Sequence, residues 1–411
     1  MKLVIVGGSA HSTPNLFAHD SLRAVTDCLE VVLVGRSSDR LAAVARAIRL
    51  ITGPNPVRVT CEPLTSEFDT PAFRGADVVL CQARYGGYEA RAADETFPLK
   101  YGLCGDEGLG IGGLAAAWRA WPPLRATLES IRRGCPSARV ILMTSPVGVL
   151  TRCALAAYPE LQLSGICELP WTTLHEACAS ARADGGDAAF EYAGVNHLGW
   201  FWNVCALGRD IVAEYATARA RANDFPSGNL IRRLRAIPLK YLRMHYDASS
   251  VLLEQLGETR PRGLVLSDLQ QRAYETYRTG DVRAVSDFLP SRPTPWYEHA
   301  IAPFIAGFAG VPTSIPFFLT VRNAGYAPDF GGDDVLEVPH RSAGGGVSPF
   351  PPIGHIPAHF RATLDSFVAY EQMASEAVER RDAAGLLSAV ISHPWVQDSG
   401  VATQVVSEIC R

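Results

Sequence analysis

Apolar residues near the start of the chain come in short unbroken runs. Lys2-Leu3-Val4-Ile5-Val6 ends in Gly7-Gly8-Ser9, the pattern of a strand buried on both faces that turns sharply into a helix. Further runs follow at Glu30–Val34, Ala76–Gln82, Arg139–Thr144 and Ser164–Cys167, separated by segments with helical spacing such as Ser38–Leu50 and Ala116–Arg133. Strand and helix alternate, which predicts an α/β fold whose first 170 or so residues form a doubly wound parallel sheet.

Beyond Pro170 the pattern changes. Longer helical periods are expected over Trp171–Ala183, Gly228–Leu256 and Gly263–Thr279, with a strand pair near Phe317–Asn323 and Asp334–Val338. At roughly 150 residues per domain the length also favours two units. These are residues 1–170, a dinucleotide-binding domain, and residues 171–411, a mixed α+β domain for substrate and for oligomer contacts. Ser286–Pro295 and Gly344–Pro357, rich in Pro or Gly, read as loops at the site, at a subunit contact or simply at the surface.

Composition narrows the function classes. Apolar residues are 47% of the 411 and charged ones 19%, enough to bury a large core. Lys and Arg (38) nearly balance Asp and Glu (42), with no long run of one sign, so no nucleic-acid partner is expected. No membrane is expected either: the most apolar stretch, Gly112–Trp121, is broken by Arg119 and followed by Pro122-Pro123. The start reads as a strand and not as a secretory leader, which points to the cytoplasm. Ten cysteines without a CxxC pair read as buried thiols in a reducing compartment.

The first strand carries the first candidate chemistry. Glycines after it let backbone N–H groups approach a pyrophosphate, so Gly7, Gly8, Ser9 and Thr13 are candidate cofactor residues. Where an NAD enzyme normally places an acid for the ribose, this chain reads Gly35-Arg36-Ser37-Ser38. Arg36 and Ser37 suit a 2′-phosphate, leaving NAD or NADP open, and Arg36 also reads as a solvated neighbour of Asp39.

Longer motifs follow. Gln82-Ala83-Arg84-Tyr85-Gly86-Gly87-Tyr88-Glu89-Ala90-Arg91-Ala92-Ala93-Asp94-Glu95 continues through Pro98–Gly102 to Gly105-Asp106-Glu107-Gly108, Gly110, Gly112 and Gly113. After it come Thr144-Ser145-Pro146, Gly165-Ile166-Cys167-Glu168-Leu169-Pro170 and Gly194-Val195-Asn196-His197-Leu198-Gly199-Trp200. Tyr241-Leu242-Arg243, Thr259-Arg260, the Asp334–Pro339 stretch and Ser392-His393-Pro394 complete the series. In this order, over essentially the whole chain, the motifs resemble glycoside hydrolase family 4.

The resemblance implies an N-terminal Rossmann-type sheet and a C-terminal mixed α+β domain, as in lactate and malate dehydrogenases. It also implies an unusual hydrolase, with a nicotinamide cofactor and a divalent metal such as Mn2+ in place of two catalytic carboxylates. In the family, hydride leaves sugar C3, a base removes the C2 proton, the C1 substituent is eliminated, water adds and the ketone is reduced again. Cys167 and His197 match the metal ligands, a set that by softness suits zinc as well as manganese. Tyr241 matches the C2 base, with Tyr246 as the fallback, and needs a nearby cation because free tyrosine titrates near pH 10.

Glu168, where the family has Asp or Asn, is placed to protonate the leaving oxygen or to support the metal. Arg84, Arg91 and Arg260 match positions facing substrate or its 6-phosphate, although a carboxylate such as Asp94 or Glu95 would equally pair such an arginine. Asn196 is placed to position substrate or metal, Asp106 and Glu107 match substrate-binding positions close to the metal and the nicotinamide end, and Ser145 replaces an Asn that holds sugar hydroxyls beside the cofactor. His175 and His393 read as structural. The departures at Ser9, Gly35-Arg36, Asp106, Ser145 and Glu168 suggest a divergent member acting on a small sugar or sugar phosphate, as a homodimer or homotetramer. The alternatives are a sugar oxidoreductase or epimerase on the same scaffold and a cofactor-binding protein without catalysis.

Overall fold

The structure is a computed structural model and describes residues 1–25, 28–53, 57–64, 71–221 and 225–411. Six strands build the parallel sheet: β1 (Lys2–Val6), β2 (Glu30–Gly35), β3 (Arg58–Pro63), β4 (Val78–Cys81), β5 (Arg139–Leu142) and β6 (Gln162–Cys167). Their order is 3-2-1-4-5-6, so the sequence reverses direction beside β1, where α/β sheets bind ligands at their carboxyl ends. Side chains alternate between faces. Val4, Val6, Val32, Val34, Val79 and Leu142 pack on one side, and Leu3, Ile5, Val31, Leu33, Leu80 and Ile141 on the other. Both faces are covered, which is why these strands read as continuous apolar runs and not as alternation.

A hairpin, β7 (Ala189–Val195) and β8 (Leu198–Ala206), begins a second sheet, joined by the two-residue strands β9 (Arg209–Asp210) and β10 (Ile237–Pro238). Three later strands, β11 (Phe317–Arg322), β12 (Val335–Ala343) and β13 (Gly346–Pro349), do not form a sheet of their own. They extend the first one: β11 lies antiparallel to β6, with Phe318 opposite Cys167 and Thr320 opposite Gly165. The division expected at residue 170 is therefore crossed by a sheet of nine strands among the described residues. The helix Ala358–Arg380 likewise returns to the first half, where Glu371 meets Arg152 of the helix Val147–Ala157 at 3.1 Å, both side chains 6% exposed.

Several expectations need correction. Gly228–Leu256 is not one helix: Arg235 turns left-handed (φ 52°), Ile237-Pro238 pairs with β8, and helix resumes in pieces at Arg243–Tyr246 and Ala248–Gly257. The helix ends at Leu234, and Pro238, which supplies no N–H to an α-helical ladder, keeps it from resuming at once. Ser286–Pro295 and Gly344–Pro357 are only partly loops, since the first holds the end of a helix and the second holds β13. All ten cysteines are unpaired, but Cys28, Cys61, Cys205 and Cys410 are exposed. Among the described residues no helix is long and apolar enough to cross a membrane.

Candidate active site

The cofactor end is built by the turn after β1. Gly7 has φ +82°, and a Cβ there would lie 2.6 Å from the Ala83 backbone, so only glycine brings the chain this close to the end of β4. Thr13 is fully buried and its hydroxyl accepts from Gln82 Nε2 at 2.9 Å, which ties the turn to β4. Ser9 offers its carbonyl to the Tyr274 hydroxyl at 2.6 Å. Arg36 is exposed and has no carboxylate partner among the described residues, while the Ser37 hydroxyl caps the helix Ser38–Thr52 by accepting from Arg40 N. Ser145 precedes Pro146 at the end of β5, beside Gln82 and Arg84.

The reaction end gathers where β6, the β7–β8 turn and the segment before Arg243 meet. Cys167 ends β6, and its sulfur accepts from Leu169 N at 3.4 Å while its S–H donates to Glu168 Oε2 at 3.8 Å. Asn196 and His197 are the two turn residues of the hairpin, and His197 takes φ +69°, a conformation a non-glycine residue holds only when its surroundings enforce it. Its ring lies against Tyr241, and its Nδ1 is buried without a hydrogen-bond partner. A methyl group on Gly108 would lie 2.8 Å from that nitrogen, so the glycine keeps this face of the ring open.

Charge around this group runs negative. Burial and then the Glu168 and Glu337 carboxylates raise the Cys167 thiol well above its usual pKa. Burial pushes the Tyr241 hydroxyl up too, helped by Asp106, Glu107, Glu168 and Cys167. Burial lowers His197, against the pull of Asp106 and Glu168, and keeps it neutral and free to ligate. Among the described residues no three His, Cys, Asp or Glu side chains close around a metal unaided. An orphaned imidazole nitrogen stacked on Tyr241, with a buried thiol that needs a cation to ionise in the cluster that tyrosine packs against, nonetheless fits a divalent ion whose other positions are open.

The arginines are arranged as a lattice. Arg84 pairs with Glu107, Arg91 with Glu95 (2.7 Å) and Glu107 (2.8 Å), and Arg119 with Asp94. Asp106 turns its carboxylate to the backbone N–H groups of Gly108 (2.9 Å), Leu109 (2.5 Å) and Gly110 (3.1 Å) and so shapes the glycine-rich turn. His393 supports the same turn through the Leu109 carbonyl at 3.0 Å, and His175 packs against Trp171. Arg260 is not drawn into the cluster; it is half-exposed and pairs with Asp268 at 2.6 Å. Tyr246 accepts from the Trp200 indole at 3.1 Å, which occupies the fallback base.

The profile described as Family 4 glycosyl hydrolase matches residues 2–180, and the one for the family's C-terminal domain matches residues 192–396. The chain belongs to glycoside hydrolase family 4. It is 25% identical over 417 residues to the 6-phospho-beta-glucosidase BglT of Thermotoga maritima, covering 100% of this chain and 97% of that one. The phospho-alpha-glucosidase PagL of Clostridium acetobutylicum is 21% identical over 433 residues, with 99% and 96% covered. A solved structure of the Thermotoga maritima 6-phospho-beta glucosidase with NAD and glucose-6-phosphate superposes with a TM-score of 0.87 over 100% of this chain and 97% of that one, at 25% identity. As a family 4 member the chain is a glycoside hydrolase on a Rossmann-type fold.

Sequence reasoning named the family 4 ligand and base candidates but passed over Glu337. This carboxyl is fully buried in β12, accepts from the Tyr192 hydroxyl at 2.5 Å and from Asn196 Nδ2 at 3.5 Å, and is pushed up to about 8 by burial. An acid inside the apolar run Val335-Leu336-Glu337-Val338 was the available signal, because a charge in a strand buried on both faces needs a reason.

Proposed function

We propose that this enzyme hydrolyses a 6-phosphorylated glycoside with NAD or NADP and Mn2+, using Tyr241 as the base at sugar C2. The buried, unpartnered Nδ1 of His197, whose ring is stacked on Tyr241, carries the reading. Cys167 and His197 would hold the metal, and Gly7, Gly8 and Ser9, with Arg36 and Ser145, line the cofactor's path. When bound, the nicotinamide exchanges hydride with C3 and the metal polarises the C3 oxygen.

Tyr241 takes the C2 proton. Its hydroxyl titrates high among four acidic neighbours, so it becomes a base only when positive charge, as a metal held by Cys167 and His197 would supply, enters the site. Glu168, the residue that caps the start of the helix Leu169–Ser180, donates a proton to the departing C1 oxygen. Asn196 and Glu107 orient sugar hydroxyls, with Arg84 and Arg91 fixing Glu107 in place. Ser145, one hydroxyl where an amide would offer a donor and an acceptor, leaves a looser grip on the sugar. Exposed Leu253, Leu256, Leu264 and Val265, on the helices Ala248–Gly257 and Arg262–Thr279, support a homo-oligomer, and the enzyme is read as cytoplasmic.

The test is incubation with Mn2+, NAD or NADP and nitrophenyl glycosides with and without a 6-phosphate. Nitrophenol release that needs both metal and cofactor, without accumulation of reduced nicotinamide, is expected. Reduced cofactor accumulating without phenol would instead make the protein a sugar oxidoreductase.

A further inference from the structure

The end of β2 is tied to the turn that meets the cofactor. The Val34 carbonyl accepts from both Gly7 N (2.9 Å) and Gly8 N (3.0 Å), and the Gly35 carbonyl accepts from Leu64 N at 2.9 Å. Whatever follows Gly35 is therefore held at a fixed place beside the pyrophosphate turn. In dinucleotide-binding sheets the adenosine ribose lies here, and the side chain it meets decides between a free 2′-hydroxyl and a 2′-phosphate.

A free ribose diol needs an acceptor at this place, normally a carboxylate. None stands there. Gly35, the last residue of β2, has no side chain, and a Cβ on it would meet Ser9 Oγ at 3.0 Å, so the turn's own serine fills the space. Arg36 is exposed and pairs with no carboxylate among the described residues. Asp39, the acid nearest in sequence, is exposed in the first turn of the helix Ser38–Thr52 and makes no ion pair with Arg36.

The groups that do stand there donate. The Ser37 hydroxyl accepts from Arg40 N at 3.4 Å and keeps its own proton to give. Ser38 N and Asp39 N open a 15-residue helix and find no partner among the described residues, and the helix dipole adds partial positive charge at the same end. Arg40, on the same helix, lies 5.1 Å over the ring of Tyr274, whose hydroxyl donates to the Ser9 carbonyl at 2.6 Å. A second guanidinium thus borders the same turn.

Arg36 also leans inward. Burial raises the Tyr85 hydroxyl, in the segment after β4, and the Arg36 charge is among the influences that oppose the rise, although β1 lies between β2 and β4. The guanidinium is therefore felt across the carboxyl end of the sheet, over the cofactor turn. An exposed arginine loses little by lacking a counter-ion; what marks this place is the missing acid together with the convergence of donors. A phosphate supplies the acceptor oxygens and the negative charge that such a set calls for.

We propose that Arg36, with Ser37 and the N-terminus of the helix Ser38–Thr52, selects a dinucleotide that carries a 2′-phosphate, so that the enzyme works with NADP in preference to NAD. This deepens the cofactor half of the function proposed above and rests on it.

The experiment is calorimetric titration of the Mn2+-loaded protein with NADP+ and NAD+, and with 2′,5′-ADP and 5′-ADP, for wild type, R36Q and G35D. Wild type is expected to bind NADP+ at least roughly tenfold more tightly than NAD+, and 2′,5′-ADP more tightly than 5′-ADP by a similar factor. R36Q is expected to remove most of that ratio by weakening NADP+. G35D places a carboxylate at the end of β2, with only the tip of the Ser9 side chain in its way, and is expected to reverse the ratio. The wild-type ratio needs no variant, so it decides even if a substitution melts early. Equal binding of the two dinucleotides by wild type, or tighter NAD+, would overturn the selection. A preference for NADP+ that survives R36Q would take it away from Arg36. Failure of both dinucleotides to bind would remove the cofactor reading and this one with it. None of these readouts needs turnover, so a protein that prefers NADP+ yet releases no nitrophenol would keep the selection and lose the hydrolysis.

Discussion

The imidazole of His197 lies face to face with the phenol of Tyr241, ring centroids 4.4 Å apart and planes 9° from parallel. The metal candidate and the base candidate thus share one rigid surface, and a positive charge held by His197 acts on Tyr241 across a ring's thickness. The Lys240 ammonium lies 5.7 Å from the same tyrosine ring.

Replacing His197 by Ala should abolish tight Mn2+ binding. Supporting residues around metal sites typically cost 10–100-fold in affinity, so loss of a direct ligand should exceed ~100-fold. Electron paramagnetic resonance titration of free Mn2+ measures this without turnover. The variant should still bind NAD, since His197 lies away from the β1 turn. Retained Mn2+ affinity would remove His197 from the ligand set.

Y241F should lower kcat by about 10²–10⁴-fold, the usual worth of a positioned general base, while Mn2+ and NAD affinities hold. Y246F should cost far less in rate, because its hydroxyl is already taken by the Trp200 indole. If Y246F fell as far as Y241F, the base would have been assigned to the wrong tyrosine. Loss of C2 deuterium exchange in Y241F alone would complete the assignment.

Glu337 and His393 give stability opposite pH slopes over windows that overlap between 4.5 and 6.5. Glu337 is raised from 4.5 to about 8, so between those values the native state binds more protons than the unfolded chain and stability falls as pH rises. His393 is lowered from 6.5 to about 4, so the unfolded chain binds more protons there and stability falls as pH drops. Each contributes a slope of up to roughly 1.4 kcal/mol per pH unit. In thermal melts of chelator-treated protein, E337Q should flatten the decline from pH 6.5 to 8 and, by removing the opposing slope between 4.5 and 6.5, uncover the fall toward acid that His393 sets. An unaltered alkaline limb would mean that Glu337 is ionised in the native state.

Gly148→Ala should destabilise without touching the site. Its new methyl would overlap the Glu371 carboxylate and push it from Arg152. Breaking a buried ion pair costs about 3–5 kcal/mol, read as a lowered midpoint in urea. A change below ~1 kcal/mol would show that the helices can part at this point without losing the pair.

The central strands were legible because burial on both faces writes an unambiguous apolar run, as in Leu3–Val6 and Val140–Leu142. β3 was not, because it is an edge strand: in Arg58–Pro63 only Val59 is buried, and nothing demands alternation. The hairpin carrying His197 was visible only as a motif, since the turn that matters is two residues long. Family resemblance supplied the ligands and the base. It could not supply pairings, so Glu107 as the shared partner of Arg84 and Arg91 emerged only when distant segments were brought together. Arg260, matched by motif, went to Asp268 because the helix Arg262–Thr279 offers it an acid within reach.

The pairing of β11 with β6 ties synthesis order to folding. Until Phe317–Arg322 has left the ribosome, the growing chain holds a nucleotide-binding sheet whose sixth strand has one unpaired edge. Open edges of this kind recruit other strands, so truncations ending before residue 317 should aggregate and not yield a free cofactor-binding domain. Premature stops or nicks late in the chain would thus be felt at the first strand's end of the protein as strongly as at the last.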